Sequence, residues 1–306
     1  MRVIGQPRRR VDGRAKVTGQ TKFADDIVLP RMVHCRLLRS TVPHAKILSV
    51  DISKAQALEG VHLVLTGEQF PIAYGILPVS HDEHALCRDV VRFVGDPVAA
   101  VVARDEATAE VAVNLIDVKY EPLRTFATPL DSLTHAEPRI HDYGDFGNVH
   151  KAVALEFGEV DDEIGKADHV FDDLFFFEGN THLPLEQHAT VATKDPDGKL
   201  VVHSSTQTPH YLHRALAKAL SMPAAHIRVI ATPNGGGFGG KSDPFNHEVV
   251  VAYAAMRLDR PVKICLNREE VFYCHRGRHP VLMRFRTGVN KDGKITGLDL
   301  QTLLDG

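Results

Sequence analysis

The chain is short of the residues that staple or anchor a protein. It has four cysteines in 306 residues, Cys35, Cys87, Cys265 and Cys274, and no two form a C-x-x-C pair. That usage fits a reducing cytoplasm rather than a disulfide-built scaffold. Cys35 and Cys265 lie in apolar strand-like runs and are expected as buried thiols. No run of 18 apolar residues occurs, so no membrane-spanning helix is expected. The basic start, Met1 to Arg10, leads into no apolar stretch and does not read as a secretion signal. Net charge is only -3, which gives no reason to expect a nucleic acid or a membrane surface as partner. Tryptophan is absent, and that excludes nothing. Histidine is plentiful, 18 in all, but the motifs that would turn it into a zinc site are missing. His275 and His279, and His81 and His84, are spaced as pairs without the glutamate of H-E-x-x-H or a cysteine partner. Surface or core histidines are the expectation.

What remains is ordinary globular composition, 43% hydrophobic and 25% charged, long enough for two domains. Residues 1–19 read as an extended arm, punctuated by glycine and carrying Arg8-Arg9-Arg10 as a solvated surface. Residues 20–122 alternate strands with short helices and form an α/β domain. Its strands are expected at 32–38, 46–52, 61–65, 90–94, 98–103 and 116–120. Helices are expected at 53–58, with Ser53 as N-cap, and at 106–115, capped by Asp105. Residues 123–150, rich in proline and turns, read as a linker. The second domain, 151–306, is expected to carry strands at 152–157, 169–177, 188–193, 200–204, 227–231, 262–266, 281–287 and 294–303. Its helices are expected at 211–220 and 245–258, with a hairpin turn at Asn290 to Gly293. A domain rarely stops on an apolar strand, so a truncated chain is expected.

The stretch that asks for a function is Gly235-Gly236-Gly237-Phe238-Gly239-Gly240-Lys241, with five glycines in six residues. Glycine permits positive φ and close approach of backbone to a ligand. The run follows a strand and precedes a helix, which would offer free N–H groups and the positive end of a helix dipole to an anion. Lys241 would add a full charge there. Residues 235–242 fit G-x-x-x-x-G-K-S, and Gly235, Gly237 and Gly240 fit G-x-G-x-x-G. Context weighs against both. Three turn residues, Thr232-Pro233-Asn234, delay the first glycine, and Pro244 sits where a nucleotide-hydrolase helix would be under way. Glu269, after the strand at 262–266, keeps the dinucleotide pattern open. A phosphate-loop nucleotide-binding protein is thus the alternative from another class.

Two other segments bear polar groups at strand ends. Ser204-Ser205-Thr206-Gln207-Thr208-Pro209-His210 lies between a strand and a helix, where Gln207 could bind a ligand, or Ser and Thr could simply cap the helix. Glu186, beside apolar sequence, could be a general base. Pairing with an arginine such as Arg276 or Arg278 is favoured over that.

The order of these motifs is more specific than any one of them. P-L-E-Q-H-A (184–189), S-S-T-Q-T-P (204–209), G-G-G-F-G-G-K (235–241) and R-G-R-H-P (276–280) occur in the order found in molybdenum-binding large subunits. The family so resembled is that of xanthine dehydrogenase, aldehyde oxidase and carbon monoxide dehydrogenase. D-G-R-A-K-V-T-G-Q-T-K-F-A-D-D (12–26) and R-F-V-G-D-P-V-A-A-V-V-A (92–103) resemble its hammerhead domain. Residues 142–151, 80–87 and the K-S-D-P ending of the loop look most like the α subunit of 4-hydroxybenzoyl-CoA reductase. The resemblance implies an α+β chain, with an N-terminal α/β hammerhead-like domain followed by the first part of a molybdopterin-binding domain. It implies molybdenum carried on molybdopterin, as the cytosine dinucleotide, with iron–sulfur clusters and FAD on partner subunits. Gln207 would approach an oxo ligand of the metal, and Gly236, Gly237, Phe238 and Gly239 would meet the cofactor. The implied reaction is reductive dehydroxylation of 4-hydroxybenzoyl-CoA to benzoyl-CoA. The alternative is hydroxylation of an aldehyde or N-heterocycle. Ser242 stands where purine-oxidising relatives carry glutamate, which argues against a purine and leaves room for another aromatic substrate. No residue matches the family's base glutamate, which is expected beyond Gly306, so the chain alone is expected to be inactive.

Overall fold

The computed structural model describes residues 3–76, 80–273 and 276–305. Its N-terminal half contains α1 (Gly13–Val17), β1 (Val33–Arg39), β2 (Ala45–Asp51), α2 (Ser53–Ala57), β3 (Val61–Thr66), β4 (Val90–Val91), β5 (Pro97–Ala103), α3 (Glu106–Val113) and β6 (Asp117–Pro122). β5 is apolar throughout and buried at every position, as a strand covered on both faces must be. It pairs antiparallel with β1 on one side and β3 on the other. β2, β4 and β6 make a separate small sheet. The Asp105 carboxylate accepts from Thr108 N at 2.7 Å and caps α3. At α2 the acceptor is Asp51, which takes the Ser53 amide at 2.9 Å, so Ser53 is the first helical residue rather than the cap.

The second half adds α4 (Pro129–Thr134), α5 (Val160–Gly165), β7 (His169–Phe177), β8 (Ala189–Lys194), β9 (Leu200–Ser204), α6 (Pro209–Ala219) and β10 (Ile227–Ala231). It closes with α7 (Asn246–Leu258), β11 (Val262–Cys265), α8 (Arg268–Tyr273), β12 (Val281–Val289) and β13 (Ile295–Leu304). One seven-stranded sheet runs through both halves in the order β10-β9-β8-β11-β1-β5-β3. The seam is the parallel pair β1 and β11, where Val33 stands opposite Val262. The main core is accordingly shared: Val33, Cys35 and Leu37 of β1 cluster with Leu200, Val202 and the inner face of α7. That placement lets α7 bury Val249, Val250, Val251 and Ala252.

β7, β12 and β13 form their own antiparallel sheet. α5 lies on one face, where Gly288 and Gly297 leave room for Ile164. By register, the opposite face carries Phe171, Phe175, Phe177, Leu298, Leu300 and Leu304, all exposed.

Several expectations fail for physical reasons. The arm is not wholly extended: Asp12 bridges Arg10 and Lys16 across α1, a helix too short to show an apolar period. Residues 152–157 alternate like a strand but pair with nothing described, and Val153, Leu155 and Phe157 are exposed. Alternation alone does not satisfy backbone hydrogen bonds. α4, α5 and α8 lie where no helix was expected. For α4 the signal was present: Thr128 caps it, accepting from Asp131 N at 3.2 Å, with Pro129 at the first position. Cys35 is a buried thiol, its pKa pushed up to about 12 by burial, whereas Cys265 is only partly buried. Cys274 and His275 lie outside the described residues.

Candidate functional site

β9 and β10 are parallel neighbours, with Ser204 opposite Ala231 at their C-terminal ends. The loops that follow them, 205–208 and 232–241, therefore leave the same sheet edge side by side, the usual place for a ligand crevice in an open sheet. They are stitched together. Thr232 N donates to Ser204 O at 3.0 Å, Asn234 Nδ2 to Ser205 O at 3.1 Å, and Gln207 N to Lys241 O at 2.8 Å. Thr208, expected as a possible helix cap, instead turns its hydroxyl to Ser242 O, and no side chain caps α6.

Gln207 lies against the glycine run. Its Oε1 accepts from Gly239 N at 3.1 Å and from Lys241 N at 3.2 Å. Two donors on one oxygen fix the amide, and its NH₂ faces away from them. A Cβ on Gly237 would stand 2.5 Å from the Gln207 amide carbon, so only glycine fits there. Gly236 (φ 114°), Phe238 (φ 52°) and Gly239 (φ 92°) all take positive φ. For Phe238 that conformation is strained, and the residue is 71% exposed although its ring folds back over Gly236. Gly235 N is taken by Glu186, Gly236 N by Asn234 and Gly240 N by Gly237 O. The amides of Gly237 and Phe238 donate to no described residue. The five positions 207, 236, 237, 238 and 239 are thus brought together, with two free amides beside an oriented carboxamide.

Lys241 does not add its charge to that surface. Its side chain is 1% exposed and its Nζ donates to Glu186 Oε2 at 2.7 Å, Glu186 O at 3.0 Å and Gln187 O at 3.4 Å. Burial draws its pKa below the usual lysine value, and Glu186 draws it back up. Glu186 has an ion-pair partner as favoured, but it is Lys241 and not Arg276 or Arg278. Arg276 instead holds Glu83 at 2.6 Å and Asp243 at 3.0 Å. α7 does not begin at the loop either. Residues 241–245 intervene, and Glu248 closes the helix start by accepting from Phe245 N at 2.7 Å. A phosphate loop needs both its lysine and its helix terminus at the anion, so that alternative falls. The dinucleotide pattern fails on topology, because the strand after the loop, β11, is not the neighbour of β10. Glu269 is exposed in α8, and the buried acid beside it, Glu270, pairs with Arg39 at 2.8 Å.

Beneath the loops lies a polar layer that the sequence reading missed. Ser204 Oγ donates to Glu248, whose carboxyl pKa is pushed up to about 7 by burial. His247 is 1% exposed, and burial, helped by His188, holds its imidazole well below the ordinary value. The missed signal was N-H-E at 246–248: three polar residues opening a helix that carries no further charge until Arg257. His81 and His84 work separately, His84 on Phe70 O at 2.9 Å and His81 against the Tyr143 ring.

Two family models match, covering most of the chain. Residues 18–124 match the aldehyde oxidase and xanthine dehydrogenase a/b hammerhead domain, and residues 140–306 match the molybdopterin cofactor-binding domain. The chain belongs to the xanthine dehydrogenase/aldehyde oxidase family. Within that family it is 36% identical over 303 residues to the nicotinate dehydrogenase large molybdopterin subunit of Eubacterium barkeri, covering 99% of this chain and 70% of that subunit. It is 35% identical over 305 residues to the xanthine dehydrogenase molybdenum-binding subunit of Escherichia coli O157:H7, covering 96% of this chain and 40% of the relative. Among solved structures, the aldehyde oxidoreductase of Desulfovibrio gigas superposes with a TM-score of 0.89 at 27% identity, covering 97% of this chain and 34% of that one. The carbon monoxide dehydrogenase of Oligotropha carboxidovorans gives 0.85 at 29%, covering 97% and 39%. The chain thus spans about two-fifths of the length of most of these relatives. The fold is the hammerhead plus molybdopterin-binding arrangement.

The residues present fit a pterin cofactor in one respect that the geometry tests. The backbone amides of buried Gly237 and exposed Phe238 donate to no described residue, and next to them only Gly239 is open, where a Cβ would have His182 Nε2 as its nearest neighbour at 3.8 Å. The donors left on this face are neutral, because Lys241 is turned inward to Glu186.

Proposed function

We propose that this chain is part of a molybdopterin-dependent oxidoreductase and that Gln207 with Gly236–Gly239 forms one wall of its cofactor site. The observation that carries this is the convergence of the free Gly237 and Phe238 amides with a Gln207 carboxamide whose oxygen is already committed. The cofactor, when bound, supplies two-electron exchange with a substrate carbon. The chain's own part would be to hold and orient it: the Gly237 and Phe238 amides and the Gln207 NH₂ would be the donors facing it. The proposal extends to a cytosine dinucleotide form of the cofactor, iron–sulfur and FAD partner subunits, and a cytoplasmic enzyme. It also keeps the division into a hammerhead-like unit, 20–122, and a cofactor-binding unit, 151–306. The base glutamate is looked for outside residues 1–306.

For the substrate, two readings have distinct support. Hydroxylation of an N-heteroaromatic ring is supported by the named substrates of relatives: nicotinate at 36% identity, nicotine at 31% and quinoline at 27%. All three contain a pyridine ring. Reductive dehydroxylation of 4-hydroxybenzoyl-CoA is supported by the stretches 80–87 and 142–151. These pack on each other through His81, which lies beside Tyr143, and Asp82 holds the neighbouring His141 at 2.9 Å. The test is metal and pterin analysis of the native complex, with nicotinate and 4-hydroxybenzoyl-CoA each offered, for the parent and for Gln207→Glu. The substitution keeps an acceptor for Gly239 and Lys241 but removes the NH₂ donor. Loss of one preorganised donor should lower turnover by about 10²–10³. Native complex without molybdenum or pterin would overturn the reading.

A further inference from the structure

Glu186 and Lys241 stand 55 positions apart in the chain, yet the two ends of the glycine run meet on them. One carboxylate oxygen, Glu186 Oε2, accepts from Gly235 N at 2.9 Å and from Lys241 Nζ at 2.7 Å. Gly235 opens the run and Lys241 closes it. Glu186 N returns the bond, donating to Gly235 O at 3.2 Å. The lysine is anchored further by the carbonyls of Glu186 and Gln187. A Cβ on Gly235 would stand 2.6 Å from Glu186 Cβ, so only glycine lets the run lie this close to Glu186.

We propose that the buried Glu186–Lys241 pair is a positioning latch: by clamping both ends of the glycine run it sets the directions of the Gly237 and Phe238 amides before any cofactor arrives. A run of five glycines has no conformational preference strong enough to hold three positive-φ residues in register. Left alone it would pay ordering entropy on binding, and a closed loop has already lost that freedom. Gln207 clamps the middle of the run at Gly239 and Lys241, and the latch fixes its ends. Neither Glu186 nor Lys241 is required to touch the cofactor.

The value of the latch to binding rests on the proposed cofactor wall, but its existence does not, and the test separates the two. Backbone amide exchange is read on the full chain without cofactor for Lys241→Met, Glu186→Gln and the double variant. Either single change leaves an imperfectly compensated buried group and lowers the melting temperature. The double variant removes both charges and should recover most of that loss. The latch requires that the amides of Gly235, Gly239 and Lys241 nevertheless exchange at least about tenfold faster in the double variant, while β8 and β9 stay protected. Molybdenum content of the native complex carrying the double variant should fall in parallel. Should the double variant restore the loop's protection together with the melting temperature, the pair is only a packing element and the proposal fails. Should the double variant not fold, Glu186→Gln decides alone, since it keeps both backbone acceptors of Lys241. Exchange changes confined to 184–189, with 235–241 as in the parent, would then overturn the latch. A native complex devoid of molybdenum, with the exchange result as expected, would sink the cofactor reading and leave the latch standing.

Discussion

The residues that decide this site do so through what they are already bonded to. Gln207 could present oxygen or nitrogen outward, and two loop amides on its oxygen settle which. Lys241 looked from its position like an anion-binding charge, and Glu186 claims it. The same logic gives Glu248 a pH signature. Burial lifts its carboxyl from the ordinary value of 4.5 to about 7, against the bonds from Ser204 and the Phe245 amide. A carboxyl whose folded pKa is raised holds its proton in the folded state while the unfolded chain ionises. Its contribution is therefore fully present below about pH 4.5, falls as pH rises, and is lost above about pH 7. The swing is on the order of 3 kcal/mol. Glu248→Gln should flatten the melting-temperature profile of the chain between those two pH values. A profile as steep as the parent's would assign the dependence to other groups.

At the level of elements, legibility followed local signals. β5 was readable because a short, β-branched apolar run straight after the Gly95-Asp96-Pro97 turn fits a doubly covered strand, and α3 because Asp105 announces it. The glycine run was readable as a special backbone. Its surroundings were not, because the partner of Lys241 lies 55 positions away and no local pattern points to Glu186. The strand expected at 152–157 failed for the complementary reason: its alternation is local, whereas a ladder partner is not. α5 was hidden because its acidic run, Asp161-Asp162-Glu163, shows almost no apolar face, and only Ile164 is buried. That one side chain reaches the β12–β13 hairpin through Gly288 and Gly297. A Cβ on Gly297 would lie 2.9 Å from Ile164 Cγ1 and 3.1 Å from Val160 O. Gly297→Val should lift α5 from the sheet at a cost of about 1–3 kcal/mol, seen as faster amide exchange over 160–165 and a lower melting temperature. Unchanged protection there would mean that α5 is held by something other than this contact.

Across the molecule, the long sheet joins what the chain order keeps apart. β1 meets β11 although 229 residues separate Val33 from Val262 (262 − 33), and the core beneath that seam is common to both halves. The hammerhead part therefore buttresses the same sheet whose far edge carries the two site loops. Charge plays little part in that design: the net value is -3, and two cations close to the loops, Lys241 and Arg276, are both spent on internal carboxylates. Among the described residues, the donors the two loops leave unpaired are backbone amides and the Gln207 carboxamide NH₂. The central claim is that such a ligand is molybdopterin at Gly237 and Phe238. The most direct test is amide exchange over 235–242 in the native complex, with the molybdenum cofactor loaded and with it removed. Exchange at Gly237 and Phe238, whose amides donate to no described residue, should slow on loading. Equal exchange in the two states, with the cofactor demonstrably bound, would contradict it.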